Sequence, residues 1–125
     1  MKLLAHSAND DGDVQLLEDH LIHTAEKAAA ITRKWDASKW GRMAGLYHDI
    51  GKISERYQRY VRGIGERGGD HSTLGAVLVP PKLVPLVFAI SGHHGGLSDL
   101  ADLKSRLVRA KADPDMHAML ERCGE

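Results

Sequence analysis

From Val14 onward, apolar and small residues recur at alternating steps of three and four: Val14, Leu17, Leu21, Thr24, Ala28, Ile31 and Trp35. That spacing predicts one amphipathic helix ending near Trp35, after a loop, "SANDDGD" (7–13). Asp36 and Ser38 both offer an N-cap for a second helix reaching about His48, with Gly51 just past its end. "SERYQRYVRG" (54–63) reads as a short helix capped by Ser54, and "GIGERGGDH" (63–71) as a glycine-rich loop. "HSTLGAVLV" (71–79) begins a helix that Pro80 and Pro81 stop. "KLVPLVFAISGHH" (82–94) is a buried helix with Pro85 tolerated in its first turn, broken by Gly95 and Gly96. "SDLADLKSRLVRAKA" (98–112) places Leu100, Leu103, Leu107 and Ala110 on one face, and a last short helix follows at Pro114. "GAVLV" and "LVFAI" also fit buried strands by length. No hairpin turn separates them, however, and the pattern around them is helical. The chain is expected to be all-α.

A length of 125 residues fits one domain. Seventeen basic and seventeen acidic side chains cancel, which excludes retention on nucleic acid by bulk charge but leaves room for a local basic strip. Cys123 is the only cysteine, so no internal disulfide forms and a reducing cytoplasm is the expected compartment. The N-terminus has too few apolar residues for a secretory core. The longest apolar block, "LVPLVFAI", is far shorter than the ~20 residues that span a bilayer. A soluble protein without a membrane partner is expected.

Histidine is the unusual residue, at eight positions. On the first helix His20 falls on the border of the apolar stripe, open either to a local hydrogen bond or to a ligand, while His23 points toward solvent. His48 and Asp49 would merely cap a helix end, were it not for Gly51, which removes bulk nearby, and Lys52, which adds charge. His71 stands beside two caps, Asp70 and Ser72, and is either a bystander or a ligand. His93 and His94 end the most apolar helix. Two cationic imidazoles there would oppose each other, so neutral imidazoles aimed at a divalent ion are favoured. His6 and His117 carry no neighbouring signal and are taken as solvated. Five imidazoles and one carboxylate from four segments suit divalent transition metals. Six ligands are better explained by two ions sharing one carboxylate than by a single ion.

In order along the chain, "AHS", "DHLIHTAEKAA", "GLYHDIGK", "YQRYV", "DHSTLGA" and "SGHHGGL" resemble the HD superfamily of metal-dependent phosphohydrolases. More narrowly, they resemble the HD nuclease domain of type I CRISPR interference, which accompanies a DNA helicase. The likeness runs from about residue 5 to residue 97, and the "HHGG" doublet separates this branch from other HD proteins. It implies an HD-type helical bundle with its metal site between helices. It further implies His20, His48 and Asp49 around one metal, with Asp49 bridging to a second held by His71, His93 and His94. The ions would be manganese, iron, nickel or cobalt, with magnesium also admissible. The family completes its first site with a later aspartate. Asp99, Asp102, Asp113 and Asp115 all lie closer to the doublet than that residue does, so one site is expected to be open or weakly held and the domain to lack its final helices. No "GxxxxGK[ST]" loop occurs, so the helicase would be a separate or removed part.

The implied activity is hydrolysis of phosphodiester bonds in single-stranded DNA, in concert with the interference helicase and effector complex. Asp49 is the natural bridge, since a carboxylate offers two oxygens and a neutral imidazole one nitrogen. Lys52 is either a phosphate- or leaving-group-directed catalytic cation or a surface lysine. Arg56, Arg59, Arg62 and Arg67, interleaved with Tyr57 and Tyr60, form either a backbone-tracking nucleic-acid strip or the solvated face of a helix. Two rivals stand beside this: a nucleotide or cyclic-nucleotide phosphohydrolase of the wider superfamily, and a non-catalytic docking domain.

Overall fold

The computed structural model describes residues 1–67 and 69–123; Gly68 of the glycine-rich stretch, the Cys123 side chain, Gly124 and Glu125 lie outside them. The described residues form seven α-helices and no strand: α1 Leu17–Thr32, α2 Ser38–Tyr47, α3 Glu55–Val61, α4 His71–Leu78, α5 Val84–Gly92, α6 Leu100–Lys111 and α7 Pro114–Cys123. The all-α expectation holds. Short 3-10 turns, Arg33–Trp35 and Ile50–Ile53, follow α1 and α2.

Helices α1 and α2 form a close antiparallel pair because glycines line the seam. A Cβ on Gly41 would fall 2.5 Å from the Ala28 carbonyl oxygen, and one on Gly45 would fall 2.4 Å from Ala25 Cα. The buried face of α1 is Leu17, Leu21, Ala25 and Ala29. The expected stripe is therefore right at Leu17 and Leu21 but rotates away from exposed Ile31, while Val14, which precedes α1, and Trp35, which lies in the 3-10 turn after it, are exposed because the helix is shorter than expected at both ends. The reason is that α1 packs small residues against glycine, so its contact line drifts toward alanines that hydropathy alone ranks low. Neither expected cap of α2 is used: Ala37 stands at the N-cap without a side-chain bond, and Asp36 takes a left-handed conformation (φ 54°) that ends the preceding turn.

Elsewhere local chemistry and structure agree. Ser54 Oγ accepts from Tyr57 N and caps α3; Asp70 accepts from Thr73 N and caps α4; Pro85 occupies the first turn of α5. Two apolar clusters flank the molecule's centre. Ala5, Leu17, Leu21, Ile53, Leu74, Ala110, Met116 and Met119 form one, and Ala76, Val79, Leu86, Val87, Ile90 and Leu103 the other. The N-terminal segment is tied down by backbone bonds from Ala5 N to Gln15 O and from Leu17 N to Leu3 O, each 2.9 Å. Buried Gln58 adds bonds to both backbone groups of Leu4. This anchoring fixes where the Ala5 carbonyl points, which matters below.

Candidate metal centre

Each helix end delivers one part of the site. His20 stands in the first turn of α1, and His48 and Asp49 follow α2 directly. His71 opens α4, and His93 and His94 close α5. Tertiary packing brings them together around Asp49, whose side chain is 5% exposed. The two carboxylate oxygens face different partners. Oδ2 lies 3.0 Å from His20 Nε2, 3.2 Å from His48 Nε2 and 2.8 Å from Lys52 Nζ. Oδ1 lies 3.2 Å from both His71 Nε2 and His93 Nε2, and 3.8 Å from His94 Nε2.

These are the separations of a coordination shell. Ligands held about 2.0–2.2 Å from one ion stand about 3 Å from each other. Tautomers point the same way. His48 Nδ1 and His93 Nδ1 each donate to a carbonyl, Gly45 O and Ile90 O, at 2.7 Å. In the neutral ring this leaves Nε2 as a lone pair, aimed at a carboxylate that is itself all lone pairs. Such an arrangement demands a cation between them. His71 Nε2 is buried and makes no hydrogen bond despite its nearness to Asp49. The donor set, with these orphaned lone pairs, fits divalent metal, in two groups: His20, His48 and Asp49, and Asp49, His71, His93 and His94.

The electrostatics of the metal-free centre show the same need. Burial pushes the Asp49 carboxyl up, but His48, His71, His93 and Lys52 outweigh it and hold it far below the usual carboxylate range. Burial lowers His20 and His94. For His93 burial also pulls down, yet the bonds to Asp49 and Ile90 O overcome it and raise its affinity for a proton. A proton on His93 stands where a metal would otherwise satisfy Asp49 Oδ1.

Several expectations need revision. Lys52 is not a surface lysine: it is 3% exposed, and its Nζ donates to Ala5 O at 3.0 Å while pairing with Asp49. Gly51 makes room for α4, not for a ligand, because an added Cβ would fall 2.1 Å from the His71 carbonyl oxygen. The arginine strip divides. Arg56 pairs with Asp115 at 3.1 Å and Asp113 at 3.4 Å, Arg62 bonds Gln58 and the Lys2 carbonyl, and Tyr57 is buried with its hydroxyl on Ala5 O. Arg59, Arg67 and Tyr60 stay open. His23 and His117 are exposed, as expected. None of Asp99, Asp102, Asp113 or Asp115 joins either ligand group among the described residues.

His6 was missed. Its ring centroid lies 5.1 Å from that of His20, and it lines a cleft of about 420 Å³ with Lys52, Tyr60, Arg67, His71 and His94. Only its place in the "AHS" motif hinted at this; no periodicity marks a residue that a tied-down N-terminal segment carries into the site.

Comparison with known proteins agrees with this geometry. No curated protein matches the chain. The family model described as "HD domain" matches residues 17–119, a span that holds all six ligand candidates. The chain belongs to the HD-domain family, a superfamily of metal-dependent phosphohydrolases.

Proposed function

We propose that the protein is a metal-dependent deoxyribonuclease that cleaves single-stranded DNA, working in the cytoplasm beside the helicase and effector complex of type I CRISPR interference. The observation that carries the two-metal reading is the division of Asp49, with one oxygen facing His20 and His48 and the other facing His71, His93 and His94. The ordered motifs ending in "SGHHGGL" support the nuclease branch.

Divalent ions bound there would supply an activated water near neutral pH and offset charge on a phosphate. The chain's own groups do the rest. Lys52, tied to Ala5 O, holds Asp49 ionised and in one orientation, so its part is positioning, not contact with the leaving group. Arg67 and Tyr60, on the open wall of the cleft, face the space beside His71 and His94 and would take a phosphate and a base face. Arg59, one turn from the Arg67 loop, extends that positive edge.

The test is hydrolysis of circular single-stranded DNA and of a nucleotide panel by protein loaded with manganese, nickel, cobalt, iron or magnesium. Cleavage of the circle is expected, with loss of detectable activity in Asp49→Asn. Asp49→Ala should lose activity too, and also stability by about 3–5 kcal/mol, because it strands the buried Lys52 ammonium. Exclusive hydrolysis of small nucleotides would move the protein to the wider superfamily. Absence of any activity with every metal would favour a docking role.

A further inference from the structure

Both tryptophans of the chain sit at the corner where α1 turns into α2, and neither is buried: Trp35 is 65% exposed and Trp40 43%. Ile31 beside them is exposed as well. In a chain of zero net charge, residues 33–42 carry Arg33, Lys34, Lys39 and Arg42 against a single carboxylate, Asp36. Each of the four cations lies within two residues of one indole or the other, and all four are exposed. None forms an ion pair among the described residues, whereas Arg56, Arg106 and Arg122 are all paired. Lys34 Nζ lies over the Trp35 ring, 4.2 Å from its centroid, an exposed arrangement that a stacking base displaces readily.

We infer that this corner is a second nucleic-acid contact, which stacks bases of a single strand on Trp35 and Trp40 while Arg33, Lys34, Lys39 and Arg42 track its phosphates. Charge complementarity decides the occupant. An apolar protein partner would bury the indoles but would leave four unpaired cations to be desolvated, whereas a polyanion with exposed π-faces satisfies both at once. The location suits a strand that also reaches the metals. α1 carries His20 at one end and this corner at the other, about 18 Å along the helix axis, a reach of a few nucleotides. The inference rests on the nuclease reading for the identity of the polymer.

The two indoles are the chain's only tryptophan fluorophores, so their emission reports on the corner directly. Metal-free protein in chelator, where no cleavage occurs, is titrated with oligodeoxythymidylate. The expected result is quenching of tryptophan emission, with affinity reduced about tenfold in the exposed-site variants Trp35→Ala and Trp40→Ala. In Lys34→Glu combined with Lys39→Glu, the log–log salt slope should be shallower by about 1.4. Hydrolysis of a small phosphodiester, bis(p-nitrophenyl) phosphate, by manganese-loaded Trp35→Ala should match the unmodified protein. Unchanged oligonucleotide affinity in these variants would overturn the inference. So would emission changes with phosphatidylserine vesicles but not with oligonucleotide, or with protein concentration alone, which would assign the corner to a membrane or to a second copy. If the corner binds the strand as described but the loaded protein never cuts DNA, the nuclease reading fails and the contact stands. If DNA is cut and the variants bind it normally, only the corner is lost.

Discussion

At the scale of single residues the centre is a problem of lone pairs. Asp49 and five Nε2 atoms converge, and without a metal only Lys52 and protons on imidazole can balance them. His93 shows the consequence. Its affinity for a proton is raised, chiefly by Asp49 working against burial. In the metal-free protein, protonated His93 therefore contributes stability that is fully present below the ordinary imidazole value near 6.5 and lost as pH climbs through its raised value. Metal must displace that proton. Manganese affinity, followed by titration calorimetry at pH 6, 7 and 8, is expected to rise with pH, with proton release detectable in buffers of different ionisation enthalpy. His20 and His94, both lowered by burial, hold their protons less firmly than His93 and contribute less to that release. A flat profile would mean that no proton leaves on binding. "HD" was legible in the sequence as chemistry; which oxygen of Asp49 served which histidine was not, because the division depends on side chains from α1, α4 and α5.

At the scale of elements, two devices hold the ligands in register. The first is the glycine seam between α1 and α2, which sets His20 Nε2 3.3 Å from His48 Nε2. Gly45→Ala drives a Cβ into the Ala25 backbone, and the helices must part. A loss of about 1–3 kcal/mol in a denaturant melt is expected, together with weaker metal binding at the His20 and His48 pair while the other group is spared. The second is Arg106 on α6, whose Nη2 donates to Asp70 Oδ2 at 2.9 Å, Thr73 Oγ1 at 2.7 Å and Ser91 O at 2.8 Å. Asp70 precedes His71, and Ser91 lies two residues before His93, so one guanidinium clasps the ends of α4 and α5 that carry the second ligand group. Arg106→Ala is expected to weaken metal affinity at that group about tenfold, the low end for a residue that orients ligands from behind, with partial recovery in Arg106→Lys. Equal loss at both groups would point to general unfolding. Caps at Ser54 and Asp70 and the break at Pro80 were legible because they are local. The seam was not, since glycine and alanine score as neither core nor surface, and an arginine reaching from α6 has no sequence signal at all.

At the scale of the whole molecule, the ligands come from segments that span residues 20 to 94, so metal binding should fasten the fold. Metal that binds only the folded state adds stability by mass action, about 2.7 kcal/mol at a hundred times its dissociation constant. Thermal melts in chelator and in rising manganese should show a concentration-dependent increase in Tm, absent in Asp49→Asn. A Tm indifferent to metal would contradict a shared centre. No helix among the described residues is long and apolar enough to cross a membrane. By itself the sequence determined the helices, most of their stops and the imidazoles and carboxylate that could serve as metal ligands. Periodicity, proline, capping and ligand chemistry all act over a few residues. Only the tertiary structure decided that His6 reaches the cleft, that Lys52 is buried behind Asp49, that Tyr57 turns inward while Arg56 and Arg62 are taken up by Asp113, Asp115, Gln58 and Lys2, and that Trp35 and Trp40 are left facing water. Each of those outcomes depends on which distant backbone occupies the neighbouring space, and no local pattern of residues records that.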